Sequence, residues 1–237
     1  MKIIADTHAH TLVSGHAYST IREMAAAAAK SGMEVLALTD HGPEMPGACG
    51  RYYFGNLDVV PRILEGIHML FGAELNIMDT EGTVDLPERT LKKLDIVIAS
   101  IHPPCYGEEH TEKENTRAYL KVMENPLIHI IGHPDDGRVP VNFEELVKAS
   151  KRTGTLLELN NSSLGSHTVR QDGRKNMLTM LDLCRQYDVP VTTGSDAHVD
   201  ADAGNLEQVK EVLEYCRFPE ELVVTTDFAL LKPFLNL

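Results

Sequence analysis

The chain has 237 residues, 43% hydrophobic and 24% charged, an ordinary globular composition with length enough for one full core. Its formal charge of −13, from 35 acidic and 22 basic residues, excludes a broad electrostatic footprint for duplex nucleic acid. No stretch approaches membrane-spanning length, and Cys49, Cys105, Cys184 and Cys216 are too scattered for a disulfide framework or a thiolate zinc knuckle.

The first apolar run, KIIA, enters a strand at once, which leaves no room for a signal peptide and predicts a cytoplasmic protein. It leads into Asp6, Thr7 and His8. A helix follows from Thr20, with Thr20 and Glu23 as a capping box and Gly32 as its stop. The second run, EVLALTDH, ends at Asp40 and His41. The third, IHMLFGAELN, ends at Glu74, with a small hairpin expected near Thr83 and Val84. The helical pattern PERTLKKL precedes the fourth run, DIVIASIH, which ends at His102. A helix over residues 112–124 precedes the fifth, IHIIGHPD, ending at His133. Helices over 142–153 and 174–187 precede the sixth, TLLELNN, and the seventh, VPVTTGSDAH. These end at Asn160–Asn161 and at Asp196–Ala197–His198. A helix near 205–216, a strand ELVVTT and a terminal helix complete the pattern.

Seven apolar runs alternating with helices predict an α/β fold with a parallel sheet. In closed βα barrels the chemistry sits at the carboxyl ends of many strands, whereas an open sheet gathers it at one crevice. Six runs here end in His, Asp or Glu, so a single-domain barrel over residues 1–237 is expected.

The histidines sharpen this reading. His8 and His10 are two apart, so both face one side of a strand, and Asp196 and His198 repeat that spacing. With His16, His41, Glu74, His102 and His133 they form nine candidate metal ligands. His68, His110, His129 and His167 lie at strand starts or in polar loops and are left outside the set. Imidazole and carboxylate donors suit zinc, iron or manganese better than calcium. Nine donors overfill two sites that keep open positions, and Glu74 has two oxygens with which to bridge, so three ions are expected. Asp6 is a candidate to orient one ligand from behind.

The motifs DTHAH, TDHG, GAELN, SIHPP, GHPD and GSDAH, in this order, resemble the PHP (polymerase and histidinol phosphatase) family, over about residues 1–202. The run LELNNSS is similar to the YcdX-like phosphatase branch. The resemblance implies a distorted seven-stranded (βα)7 TIM-like barrel, a trinuclear zinc centre (manganese or iron as alternatives) and phosphoester hydrolysis. It implies that His8, His10, Glu74 and Asp196 hold one ion, Glu74, His102 and His133 a second, and His16, His41 and His198 a third. The loops are shorter than those of the histidinol phosphatases, which argues against that substrate.

The expected activity is hydrolysis of small phosphomonoesters by a hydroxide between the ions that Glu74 bridges. Glu74 and Asp196 would be catalytic, and Asp40 is a candidate for proton handling or for orienting a ligand. Phosphate favours guanidinium forks, and Arg51, Arg138 and Arg174 follow strand ends, with Asn161 beside them; Ser162 and Arg170 share the loop after the sixth run. Tyr52 and Tyr53 would line the entrance or support its loop. The alternatives are a phosphodiesterase or exonuclease on short single strands, and a non-catalytic metal-binding assembly module. No lysine ends a strand, which argues against an amidohydrolase-type carbon–nitrogen hydrolase. The expected partner is a small phosphorylated substrate, with no membrane; the sequence allows a homo-oligomer.

Overall fold

Every second residue of the buried runs turns to a shared interior, as strand geometry requires. Ala5, Val35, Ala37, Leu70, Ile96, Ile98, Ile130 and Leu156 meet there, with Val224 and Leu231 from the C-terminal segment. Phe228, Phe234 and Leu235 pack beneath them and close the floor.

The computed structural model describes residues 1–107 and 110–237. The elements run β1 (Ala5–Asp6), α1 (Ile21–Lys30), β2 (Val35–Leu38), α2 (Arg51–Phe54), β3 (Ile63–Leu64) and β4 (Ile67–Asn76). Next come α3 (Glu88–Leu91), β5 (Ile96–Ser100), α4 (Pro103–Tyr106), α5 (Glu112–Val122), β6 (Ile130–Ile131) and α6 (Phe143–Thr153). Then follow β7 (Leu156–Asn160), α7 (Gly173–Tyr187), β8 (Val191–Gly194), α8 (Glu207–Cys216) and α9 (Phe228–Leu231).

The sheet order is β1-β2-β4-β5-β6-β7-β8, with every neighbouring pair parallel. β3, not anticipated, pairs antiparallel with the start of β4. Seven parallel strands thus form a nearly closed (βα)7 barrel in a single domain. Toward the carboxyl ends the seam between β1 and β8 is closed directly, by Thr7 N–H to the Thr193 carbonyl (3.2 Å) and Asp196 N–H to the His8 carbonyl (2.8 Å). Lower down the strands part, and residues 223–226 fill the gap: Val223 bridges Val191, and Ile4 N–H donates to the Thr225 carbonyl at 2.9 Å.

That wedge corrects the expected ELVVTT strand. Glu220–Leu222 and Val224–Thr226 are 3₁₀ turns, because the segment must leave the seam and turn under the barrel to deliver Leu231 and Phe234 to its floor. The PERTLKKL helix and the terminal helix are single turns, α3 and α9. The hairpin at Val84 is one antiparallel bridge to Ile77. Helix α1 begins as its capping box predicts: Thr20 N–H donates to Glu23 Oε2 at 2.7 Å, and Glu23 N–H to Thr20 Oγ1 at 3.3 Å. Thr111 and Glu114 repeat the device at α5. Among the described residues, no helix is long and apolar enough to cross a membrane.

Candidate metal centre

Above the apolar layers the inward positions become polar. The two alanines of His8-Ala9-His10 and Asp196-Ala197-His198 bridge each other in parallel, and His10 N–H donates to the Ala197 carbonyl at 2.8 Å. This register sets the flanking histidine and aspartate side chains side by side. His41 likewise bridges Glu74 across β2 and β4.

The structure brings all nine predicted ligands to this one mouth. His8 Nε2 lies 3.0 Å from His10 Nε2, 3.4 Å from Glu74 Oε2 and 3.6 Å from Asp196 Oδ1. His10 Nε2 is 3.5 Å from Glu74 Oε2 and 3.1 Å from Asp196 Oδ1. Glu74 Oε1 faces the other way, 3.1 Å from His102 Nε2 and 2.8 Å from His133 Nε2. His41 Nε2 and His16 Nε2 are 3.2 Å apart, and the His198 ring lies 4.8 Å from that of His16. Donors on a tetrahedral ion at 2.0–2.1 Å stand about 3.3 Å from one another, so the donor spacing fits such an ion.

The far nitrogens explain why the near ones carry lone pairs. His8 Nδ1–H donates to Glu158 Oε1 (2.8 Å), His102 Nδ1–H to Asn76 Oδ1 (2.7 Å), and His198 Nδ1–H to the Asp196 carbonyl (2.9 Å). His10 Nδ1–H meets Ser14 Oγ at 3.2 Å, and Ser14 donates in turn to Asp40 Oδ1 at 2.7 Å. Each contact selects the tautomer whose Nε2 points into the centre. The carboxylates are held too: Ser100 Oγ donates to Glu74 Oε1 (2.7 Å), and Arg170 Nη2 to Asp196 Oδ2 (2.8 Å).

Two of the candidate ligands sit on strained backbone. His133 has φ 31° and Asp196 φ 55°, a region that side-chain-bearing residues adopt rarely and that collects at functional sites. Burial alone would raise the pKa of Glu74, but His102, His8 and His41 outweigh it and hold the carboxyl well below its usual range. Asp196 behaves alike: burial raises it, and His8 and Arg170 more than reverse the effect. Burial, with His41 and His198 beside it, drives His10 well below the usual imidazole value and His16 to about 4, which keeps both neutral. His8 differs: burial would lower it, but Glu158, Glu74 and Asp196 outweigh burial and push it well above the usual imidazole value, so ionised carboxylates stand beside His10 and His16 held neutral. Glu74 Oε2 and His41 Nδ1 are buried without a hydrogen-bond partner, as expected of atoms shaped to face a cation.

The other predicted residues are placed differently. Asp40 is buried, and its oxygens accept from Thr11 N–H (2.6 Å), Ser14 Oγ (2.7 Å) and Tyr53 Oη (2.7 Å), so it steadies the loop that carries His10 and His41. Asp6 accepts from the backbone N–H groups of His8, Ser195 and Gly204 and ties together the loops bearing the ligands; it reaches no ligand ring. A cavity of about 590 Å³ opens over the centre, and Arg138 and Arg170 line it with Pro103, Pro104, Met45 and His167. Arg138 is forked onto Asp136 at 2.6 Å. Arg51 lies instead in an outer groove with Tyr52, Arg89 and Lys93, and Arg174 stacks over Tyr215. Asn161 Oδ1 accepts from Gln208 and Val209 N–H and so caps α8. Arg51 and Arg174 are therefore not brought to the centre, while Asn161 lines a pocket beside Asp196 with its oxygen turned to α8.

Sequence reasoning assigned no role to Glu158, Asn160, Asn76, Ser100 and Ser14. A signal existed for the first two: Glu158 and Asn160 are two apart in LLELN, polar positions on the inward face of an otherwise apolar strand.

Fold and site together define a βα barrel whose strand ends build a histidine–carboxylate centre at the mouth. The chain matches the family model described as the PHP domain over residues 6–163 and belongs to that family. A protein named "probable phosphatase" from Thermoanaerobacter sp. (strain X514) is 44% identical over 236 residues, covering 100% of this chain and 96% of that protein. One of the same name from Clostridium novyi (strain NT) is 44% identical with the same coverage. The fold is similar to that of histidinol phosphate phosphatase from Lactococcus lactis, solved with zinc, L-histidinol and phosphate. That likeness has a TM-score of 0.62 at 16% identity and covers 91% of this chain and 94% of the other.

Proposed function

We propose that this protein is a metal-dependent phosphatase of small phosphomonoesters, working with three divalent transition-metal ions, zinc foremost. His8, His10, Glu74 and Asp196 would hold the first, Glu74, His102 and His133 the second, and His16, His41 and His198 the third. The observation that carries this reading is the division of Glu74: Oε2 faces His8 and His10 at 3.4–3.5 Å, while Oε1 faces His102 and His133 at 2.8–3.1 Å. The 44%-identical relatives named as phosphatases support the same reaction class.

When bound, such ions lower the pKa of water and stabilise the attacking and leaving oxygens of an in-line displacement at phosphorus. The protein's own groups do the positioning. Glu74 and Asp196 supply the fixed negative charge, and Ser100 and Arg170 hold their orientations. Asp40 acts through Ser14 on His10 rather than at the reacting atoms. Arg138 and Arg170 line the cavity and would be the guanidinium groups to meet an incoming phosphate. With a chain charge of −13, a compact dianionic head drawn to a local cationic pocket is favoured over a long polyanion.

The test compares kcat/KM for p-nitrophenyl phosphate and bis(p-nitrophenyl) phosphate on protein of verified metal content. Preference for the monoester, with inhibition by inorganic phosphate, is expected. Preference for the diester, or for single-stranded oligonucleotides, overturns the monoesterase reading.

A further inference from the structure

Glu158 sits on the inner face of β7, fully buried, and among the described residues no lysine or arginine bonds to it. Its oxygens accept from three donors instead: His8 Nδ1 at 2.8 Å, His133 N–H at 2.7 Å and Asn160 Nδ2 at 3.1 Å. We propose that Glu158 is a positioning residue that couples two of the metal positions, a role that rests on the metal centre proposed above.

The geometry gives each oxygen a separate task. Oε1 takes the His8 Nδ1 proton, which leaves the Nε2 lone pair pointing at the His10–Glu74–Asp196 group. Oε2 takes the backbone N–H of His133, the residue held at φ 31°, whose Nε2 reaches the opposite oxygen of Glu74. One carboxylate thus fixes the ring of a ligand to the first ion and the backbone of a ligand to the second. Asn160 Nδ2 adds a link to the first, since it also donates to Asp196 Oδ2 at 3.2 Å. Nothing comparable runs from Glu158 to His16 or His41.

The fold makes room for this contact. A Cβ on Gly194 would stand 2.2 Å from Glu158 Oε1 and 2.5 Å from the His8 Cβ, so the glycine of TTGSD is what admits the carboxylate beside the imidazole. The donor set also demands a carboxylate. Both neighbours present N–H groups, and only an ionised carboxylate accepts on both sides. A glutamine must turn its NH₂ toward one of them. Turned toward His133, it opposes a backbone donor; turned toward His8, it forces the imidazole proton onto Nε2 and removes a ligand lone pair.

Zinc binding by metal-free wild type and Glu158→Gln, followed by competition with a chromophoric chelator and by elemental counting, tests the proposal. The variant should lose about tenfold or more in affinity at two positions and keep the third. Asn76→Ala, whose side chain bonds His102 alone among the candidate ligands, should weaken one. In ¹⁵N spectra of the metal-free proteins, taken at alkaline pH where the ring is neutral, His8 should be protonated at Nδ1 in the wild type and carry a share of the Nε2–H tautomer in the variant. If Glu158→Gln does not fold, Glu158→Asp keeps the charge, withdraws it by one methylene, and should weaken the same two ions. Wild-type affinity at all three positions in both variants, with an unchanged His8 tautomer, overturns the coupling while leaving the centre intact. Wild type that binds no zinc overturns the centre itself and this role with it.

Discussion

His41 Nδ1 lies 2.7 Å from Glu74 Oε2, yet neither buried atom has a hydrogen-bond partner. Glu74 is therefore pressed by imidazoles on both sides: His8, His10 and His41 at one oxygen, His102 and His133 at the other. Such crowding is costly unless cations occupy the spaces between the donors.

From this follows a prediction on metal content. Glu74→Gln should lose more than one ion per chain, because a single neutral amide cannot face both groups. His16→Ala should lose about one. His68→Ala should lose none, since its ring stacks against Phe228 at the floor, 5.6 Å centroid to centroid. Elemental analysis of protein purified without chelator checks all three, and equal losses for Glu74→Gln and His16→Ala would argue against bridging.

Arg170 and Asp196 make a second test. Their 2.8 Å pair is largely buried; burial works against the guanidinium charge, and Asp196 and Asp135 outweigh it and keep the arginine charged. Removing one partner of a buried pair typically costs about 3 kcal/mol or more. Arg170→Ala should therefore lower the Tm of the metal-free protein clearly. It should lower that of the zinc-loaded protein less, where the ion compensates Asp196. Equal losses in both forms would show that the arginine does not stand in for that charge.

The remaining arginines separate by position. Arg138→Ala should raise KM about tenfold for a phosphomonoester, the loss of one charge-assisted hydrogen bond. Arg51→Ala and Arg174→Ala should leave kcat/KM within about twofold, because one lines an outer groove and the other stacks on Tyr215. A strong effect of Arg51→Ala would mean that the substrate reaches well beyond the mouth.

The acid limb of stability should be set in part by His129. Burial lowers its pKa to about 4, and its Nδ1 accepts from Val97 N–H at 2.8 Å. The unfolded chain binds a proton near pH 6.5 that the folded one refuses, so stability is complete above that pH and falls as pH drops toward 4. The contribution is at most about 3 kcal/mol. His129→Asn keeps an acceptor for Val97 and removes the titration. The difference in Tm between the metal-free variant and wild type should narrow between pH 7 and 4, and parallel curves would exclude His129 as the cause.

The βα alternation, the barrel and the nine converging donors were legible from residue types alone, for a local reason. Strand period two places His8 with His10 and Asp196 with His198, and a barrel gathers strand ends at one mouth. Capping boxes are equally local, so the starts of α1 and α5 are written in four residues each.

Contacts between distant segments were not legible. Asn161 has the chemistry of a phosphate ligand, but tertiary packing spends its oxygen on the first turn of α8. ELVVTT has strand propensity, but the parted seam and the floor beneath it impose 3₁₀ turns. Glu158 and His8 are 150 positions apart, and only closure of the barrel sets them 2.8 Å from each other. Local spacing determines which face a side chain takes; which partner it finds there depends on register and closure, and those are properties of the whole sheet.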